Sequence, residues 1–122
     1  MLKYRLDKHP GICPIVQIDN KERLSILPKS KAELDYCTDF FKALSHPTRI
    51  VLVVELAQGE QCVRTLTEKV GADMSTVSRH LRELKNAGII RNEKRGNQVF
   101  YRLRTPCILN FMECIRSLQR AE

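Results

Sequence analysis

The 122-residue chain contains no tryptophan, and aromatic residues make up only 6% of it. Its core must therefore be largely aliphatic, as in small helical domains packed with leucine and valine. No run of 18 apolar residues occurs, which excludes a membrane-spanning helix. The opening residues, Met1-Leu-Lys-Tyr-Arg-Leu-Asp-Lys8, lack the apolar segment of a secretory leader, so a cytoplasmic location is expected. The five cysteines (Cys13, Cys37, Cys62, Cys107 and Cys114) include no Cys-x-x-Cys pair, which excludes a zinc ribbon or a thioredoxin-like motif on spacing. Structural disulfides are not expected of thiols kept reduced in the cytosol. There is no glycine-rich phosphate loop. His9, His46 and His80 are scattered, so no nucleophile–base constellation of an enzyme can be drawn.

What is present is positive charge, unevenly placed. The formal net charge is +7. Between positions 79 and 104 lie eight cations (Arg79, Arg82, Lys85, Arg91, Lys94, Arg95, Arg102 and Arg104) against Glu83 and Glu93, which is six of the seven net charges in a fifth of the chain. The remainder, with 13 cations and 12 acids, is close to neutral. So focused a basic segment points to a polyanionic partner, and its setting points to duplex DNA.

That setting is residues 75–90. Ser75 and Thr76 offer a helix cap. Val77, Leu81 and Leu84 recur at helical spacing and predict a buried face, while Ser78, Arg79, Arg82 and Lys85 occupy the opposite side. Short hydroxyls and long cations are the side chains that read base edges and hold phosphates. Ala87-Gly88 closes the helix, with Gly88 suited to a left-handed cap. Two strand-like runs then flank Arg95-Gly96-Asn97, predicting a β-hairpin with a basic tip. A recognition helix followed by such a hairpin predicts a winged helix-turn-helix, mainly α with a small β wing.

The rest of the chain fits one domain at 30–122, preceded by an arm at 1–29 that contains Pro10, Pro14 and Pro28. Ser30 caps a first helix through Leu44, with Leu34, Cys37, Phe41 and Leu44 on one face, expected to be the core face. Pro47 opens a second helix that runs to about Ala57 and includes Ile50, Val51, Val54 and Leu56. Cys62 to Val70 reads as a third helix with Val63, Leu66 and Val70 inward. Thr105 is expected to cap a last helix running to about Arg120. Its apolar residues cover more than one stripe, so one face should pack on a second copy, giving a homodimer through the first and last helices.

Phe41-Lys-Ala-Leu-Ser-His-Pro-Thr-Arg49, Cys62-Val63-x-x-Leu66, Ser75-x-x-Ser78-x-His80-Leu81-x-x-Leu84-x-x-Ala87-Gly88 and Tyr101-Arg-Leu103 together resemble the ArsR/SmtB family of metal-sensing repressors. The resemblance covers roughly residues 36–118. It implies a homodimer that binds a palindromic double-stranded operator, needs no cofactor to do so, and releases it when an inducer binds. On that resemblance Ser75, Thr76, Ser78, Arg79 and Arg82 fall at groove-facing positions, Lys94, Arg95 and Asn97 at the wing tip, and His80 at the family's usual histidine position, where packing or phosphate contact is favoured over a metal role.

The sensor departs from the family pattern. Many members carry Cys-Val-Cys at the start of the third helix; here Arg64 replaces the second cysteine. The last helix has no histidine and only Glu113 as an acid, which speaks against a zinc site there. A soft inducer such as arsenite, antimonite, cadmium or lead needs two to four converging thiolates. The candidates are Cys62 at the family's ligand position, Cys13 on the arm, and Cys37, with His9 as a further nitrogen donor. Cys37 alone reads better as a buried core residue. Cys107 and Cys114 are seven residues apart, about 10.5 Å along a helix, too far to chelate one ion within a chain. With Cys37 they form the alternative, a thiol redox or reactive-sulfur sensor of the same fold. An architectural DNA binder with no ligand is the remaining reading; only a sensor changes its DNA affinity with a soft metal or an oxidant.

Overall fold

The computed structural model describes residues 28–120. The arm residues before Pro28, Cys13 and His9 among them, lie outside the described residues. Helix α1 (Lys31–Leu44) starts as expected: the Ser30 hydroxyl oxygen accepts the Glu33 N–H at 3.2 Å. Its apolar face differs from expectation. Leu34 and Phe41 are 55% and 56% exposed and Cys37 is exposed, while Ala43 is the buried residue of the helix. Helical periodicity correctly marks an apolar face but does not say what covers it, so the expectation of a buried Cys37 fails.

Helix α2 (Pro47–Leu56) has Pro47 in its first turn, where the missing N–H leaves no bond unmade, and His46 Nδ1 accepts the Thr48 N–H at 3.1 Å. Leu52, Val53 and Leu56 are buried; Ile50, Val51 and Val54 are exposed. A two-residue strand β1 (Gln61–Cys62) then leads directly into α3 (Val63–Val70), whose buried residue is Leu66. Gly71 closes α3 with a left-handed φ of 76°, a conformation that penalises a Cβ.

Helix α4 (Met74–Asn86) is capped by Asp73, not by Ser75 or Thr76. Asp73 Oδ2 accepts the Thr76 N–H at 3.1 Å, Oδ1 accepts the Thr76 hydroxyl at 2.7 Å, and the Ser75 hydroxyl also donates to this carboxylate. Three capping residue types stand within four positions here, and the carboxylate wins because it satisfies several donors at once. Val77, Leu81 and Leu84 are fully buried, as their spacing predicts, each contributing about 1.5–3 kcal/mol. They pack toward α2, α3 and the strand that follows. Gly88 takes a φ of 81°; a Cβ there would also lie 2.7 Å from the Tyr36 hydroxyl of α1.

Strands β2 (Ile90–Arg95) and β3 (Gln98–Leu103) form the hairpin around Gly96-Asn97, with Ile90 opposite Leu103 and Arg95 opposite Gln98. Gly96 carries a φ of 63°, as primed hairpin turns require at their first central position. β1 adds antiparallel to β3, giving the sheet order β1-β3-β2 with Cys62 opposite Phe100. The Thr105 hydroxyl donates back to the Ile89 carbonyl at 3.3 Å and so does not cap the last helix, α5 (Ile108–Arg120), which begins three residues later.

By chain contacts, residues 30–105 form one compact unit, and α5 belongs to another. On α5, Phe111, Ile115 and Leu118 are exposed along one side. Among the described residues no helix is long and apolar enough to cross a membrane.

The buried polar residue of the 30–105 unit is His80, 6% exposed. Its Nδ1 accepts Arg49 Nε–H at 3.1 Å, and its ring lies 4.3 Å from that of His46. Burial first, then the charges of His46, Arg49 and Arg79, holds the His80 pKa below its ordinary value. The unfolded chain therefore takes up this proton first. His80 contributes stability fully above the ordinary histidine pKa of about 6.5 and loses it as pH falls further. The urea midpoint should decline between pH 7.5 and 5.5, and His80→Gln should flatten that decline; an unaltered profile in the variant would remove His80 as its source.

Candidate nucleic-acid interface and thiol site

Burying Val77, His80, Leu81 and Leu84 fixes the rotation of α4 about its axis. Ser75, Arg79, Arg82 and Lys85 are consequently exposed, with Thr76 and Ser78 half-buried at the edge of the same face. The sequence-predicted reading residues thus stand on one solvent-facing side. Ser75 and Thr76 differ from the others in having their hydroxyl protons engaged by Asp73, which leaves their oxygens as acceptors. Those same bonds, the Ser75 hydroxyl foremost, hold the Asp73 carboxyl far below the usual carboxylate range, so it remains charged at the start of α4.

The wing divides by role. Lys94 and Asn97 are exposed at the tip, and among the described residues Lys94 makes no ion pair. Arg95 is committed to the protein. Its guanidinium reaches Glu60 at 2.5 Å and Glu93 at 2.9 Å, and its centre lies 5.0 Å from the Phe100 ring centroid. Glu60 is 35 residues away in sequence, immediately before β1, so this contact ties the wing to the approach to α3. Tyr101, on the other side of β3 from Phe100, is half-buried beside Asn92 and within the field of Arg82. Burial pushes its phenol up, so it stays a neutral hydrogen-bonding group where the wing meets α4.

Cys62 is the N-cap residue of α3 and is partly exposed. Its Sγ lies 3.2 Å from the Thr65 hydroxyl. That hydrogen bond, and then the backbone amides of Thr65 and Arg64 at the helix start, lower the thiol pKa and favour the thiolate, the form that binds metals and attacks electrophiles. Thr65 is one turn along from Cys62, a spacing that would have been readable in the sequence as an activating partner. Cys37 is exposed on α1, Cys107 is exposed ahead of α5 rather than within it, and Cys114 is half-buried on α5. Among the described residues no three His, Cys, Asp or Glu side chains converge as a metal site. A site of three or more such ligands that uses Cys62 must recruit some of them from outside the described residues or from another chain.

A family model described as bacterial regulatory protein, arsR family, matches residues 46–92, from the cap of α2 into β2. The HTH-type transcriptional repressor SmtB of Mycobacterium tuberculosis is 36% identical over 76 residues, 62% of this chain and 56% of that protein. The cadmium resistance transcriptional regulatory protein CadC of Listeria innocua is 37% identical over 75 residues, 61% of this chain and 63% of that one. The chain therefore spans less than two thirds of the length of these curated relatives. Among solved structures, the homodimeric winged helix-turn-helix DNA-binding domain of a possible ArsR-family regulator from Mycobacterium bovis matches with a TM-score of 0.66 at 25% identity, covering 80% of this chain and 94% of that one.

Two outcomes follow from the geometry. Thr65→Val should raise the pH at which Cys62 is half-alkylated by iodoacetamide, read peptide by peptide by mass spectrometry; an unshifted profile would remove Thr65 as the activator. On nonspecific duplex DNA, Lys94→Ala should reduce the salt slope by about 1 with thermal stability unchanged. Arg95→Ala should instead lower the melting temperature and change the slope less. Equal slope losses would mean that Arg95 leaves Glu60 for the DNA.

Proposed function

The chain belongs to the arsR family of bacterial regulatory proteins, and from that premise we propose that it is a cytoplasmic, homodimeric transcriptional repressor that releases its operator when a soft metal or metalloid binds cysteine thiolates. The family is one of DNA-binding regulators, not of enzymes. The observation that carries the reading is the two-sided helix α4: one side is fully buried by Val77, Leu81 and Leu84, and the other presents Ser78, Arg79, Arg82 and Lys85 ahead of a basic hairpin. Arg79 and Arg82 reach base edges or phosphates from a helix seated in the major groove, while Lys94 and Asn97 at the wing tip touch the adjacent backbone.

Dimerisation accounts for the exposed apolar residues. Leu34 and Phe41 on α1, and Phe111, Ile115 and Leu118 on α5, are large side chains more than half exposed to water in a single chain. A two-fold partner removes them from it. The homodimeric state of the Mycobacterium bovis neighbour supports the same assembly.

The inducer site centres on Cys62, whose thiol is biased toward thiolate. Cys13 and Cys37 are its proposed co-ligands, and arsenite, antimonite or cadmium the proposed inducers. The relationship to a cadmium-resistance regulator supports a soft ion. The second reading, switching by oxidation among Cys37, Cys107 and Cys114, is favoured by the exposure of Cys37 and Cys107, which leaves both open to oxidants.

The test is fluorescence anisotropy of the reduced protein on its own promoter DNA, with stoichiometric arsenite or cadmium. Wild type should lose affinity on adding the ion; Cys62→Ser should bind DNA equally well and not respond. A Cys62→Ser protein that responds normally would remove Cys62 from the sensor. A wild type indifferent to both ions but released by oxidant would transfer the function to the other three thiols.

A further inference from the structure

We propose that the outer face of the wing sheet is an oxyanion site of the phosphate class, built by Arg91 and Arg102. The two residues stand directly opposite each other on β2 and β3. Side chains paired in this way project from the same face of a sheet, and like charges so placed are destabilising. Both are exposed, and among the described residues neither makes an ion pair. They line a cleft of about 210 Å³ together with Glu60, Asn92, Glu93 and Phe100.

The acids of the cleft do not fill the role of their counterion. Glu60 and Glu93 are both held by Arg95, at 2.5 and 2.9 Å. The fields of Arg102 and Arg91 still reach Glu93 and, after Arg95, lower its carboxyl pKa. A third arginine thus engages the carboxylates at one end and leaves the two guanidiniums at the other without an ion pair among the described residues. Arg95 also covers the ring of Phe100. A pair of guanidiniums sharing one side of a cleft matches a tetrahedral oxyanion, which accepts paired N–H donors from each. The occupant is a backbone phosphate of nucleic acid or a free phosphate. In the first case the site extends the DNA footprint beyond α4 and the wing tip, and that case alone rests on the DNA-binding reading.

The test compares wild type with Arg91→Gln/Arg102→Gln and with a charge-matched control on α1, Lys31→Gln/Lys42→Gln. Three readouts are taken: the salt slope on nonspecific duplex DNA, the Arg Nε–H resonances during titration with inorganic phosphate, and the melting temperature in phosphate-free, low-salt buffer. The paired variant should melt higher than wild type, because it removes a like-charge pair. Its salt slope should fall by about 1–2, against a smaller change in the control. That result assigns the site to nucleic-acid backbone. An unchanged slope, with saturable shifts of the Arg91 and Arg102 resonances, assigns it to a free phosphate. A slope no different from the control, with resonances unmoved by phosphate, overturns the site. If wild type binds no duplex at all, the repressor reading fails separately, and the phosphate titration still decides the cleft.

Discussion

The display of the candidate DNA-reading side chains depends on how α4 is seated. Four inward residues in two turns, Val77, His80, Leu81 and Leu84, leave the helix one rotational setting against its neighbours. Turning it by one residue, about 100°, would bury a cation and expose a leucine, each at a cost of several kcal/mol. The outward display of Ser78, Arg79, Arg82 and Lys85 is thus a by-product of apolar packing. His80 adds a directional element to that packing. Its bond with Arg49 ties the middle of α4 to the first turn of α2, and its contact with His46 brings the cap of α2 against the same ring. Polar contacts in a small core add direction to the orientation that the apolar residues set.

The sequence made some of this legible and hid the rest for identifiable reasons. Helix α4 and the hairpin could be read because each is long enough to show its period and ends in a glycine of the expected kind, Gly88 and Gly96. Strand β1 has two residues, too few for any alternation, and it exists only because β3 offers an edge. The cap of α4 is ambiguous in the sequence because Asp73, Ser75 and Thr76 are all capping types, and only the geometry shows the two hydroxyls serving the carboxylate. Thr105 failed as a cap for a long-range reason, its bond to the Ile89 carbonyl 16 residues earlier. Cys37 has the pattern of a core residue because Leu34 and Phe41 share its side of α1, yet periodicity is the same for a core face and for an exposed apolar one.

The candidate site divides along similar lines. Charge content points to the candidate interface, since charge needs no structure to be counted. It did not separate arginines by commitment. Arg95, Arg91 and Arg102 look alike in a hairpin, yet the first is bound to Glu60 and Glu93 and the other two make no ion pair among the described residues. That distinction depends on Glu60, which no local pattern connects to the wing. The activation of Cys62 is the converse case. Its partner Thr65 is only three residues away, and the effect arises from placing a thiol at the mouth of a helix beside a hydroxyl.

The short strand β1 has a mechanical meaning of its own. Cys62 is both the N-cap thiol of α3 and a rung of the wing sheet opposite Phe100, whose ring lies under Arg95. Sulfur chemistry and wing position therefore share a residue, and no relay of side chains is needed between them. The joint is also slender: two register pairs and an exposed ion pair hold β1 to the hairpin, whereas six pairs hold the hairpin to itself. A structure with one thin seam yields there before it yields elsewhere. What can part at this seam is β1 from β3, because Ile90 at the root of the hairpin stays buried in the core beside Ile89; the load needed to free Cys62 from the sheet is set by that weakest fastening and not by the stability of the whole.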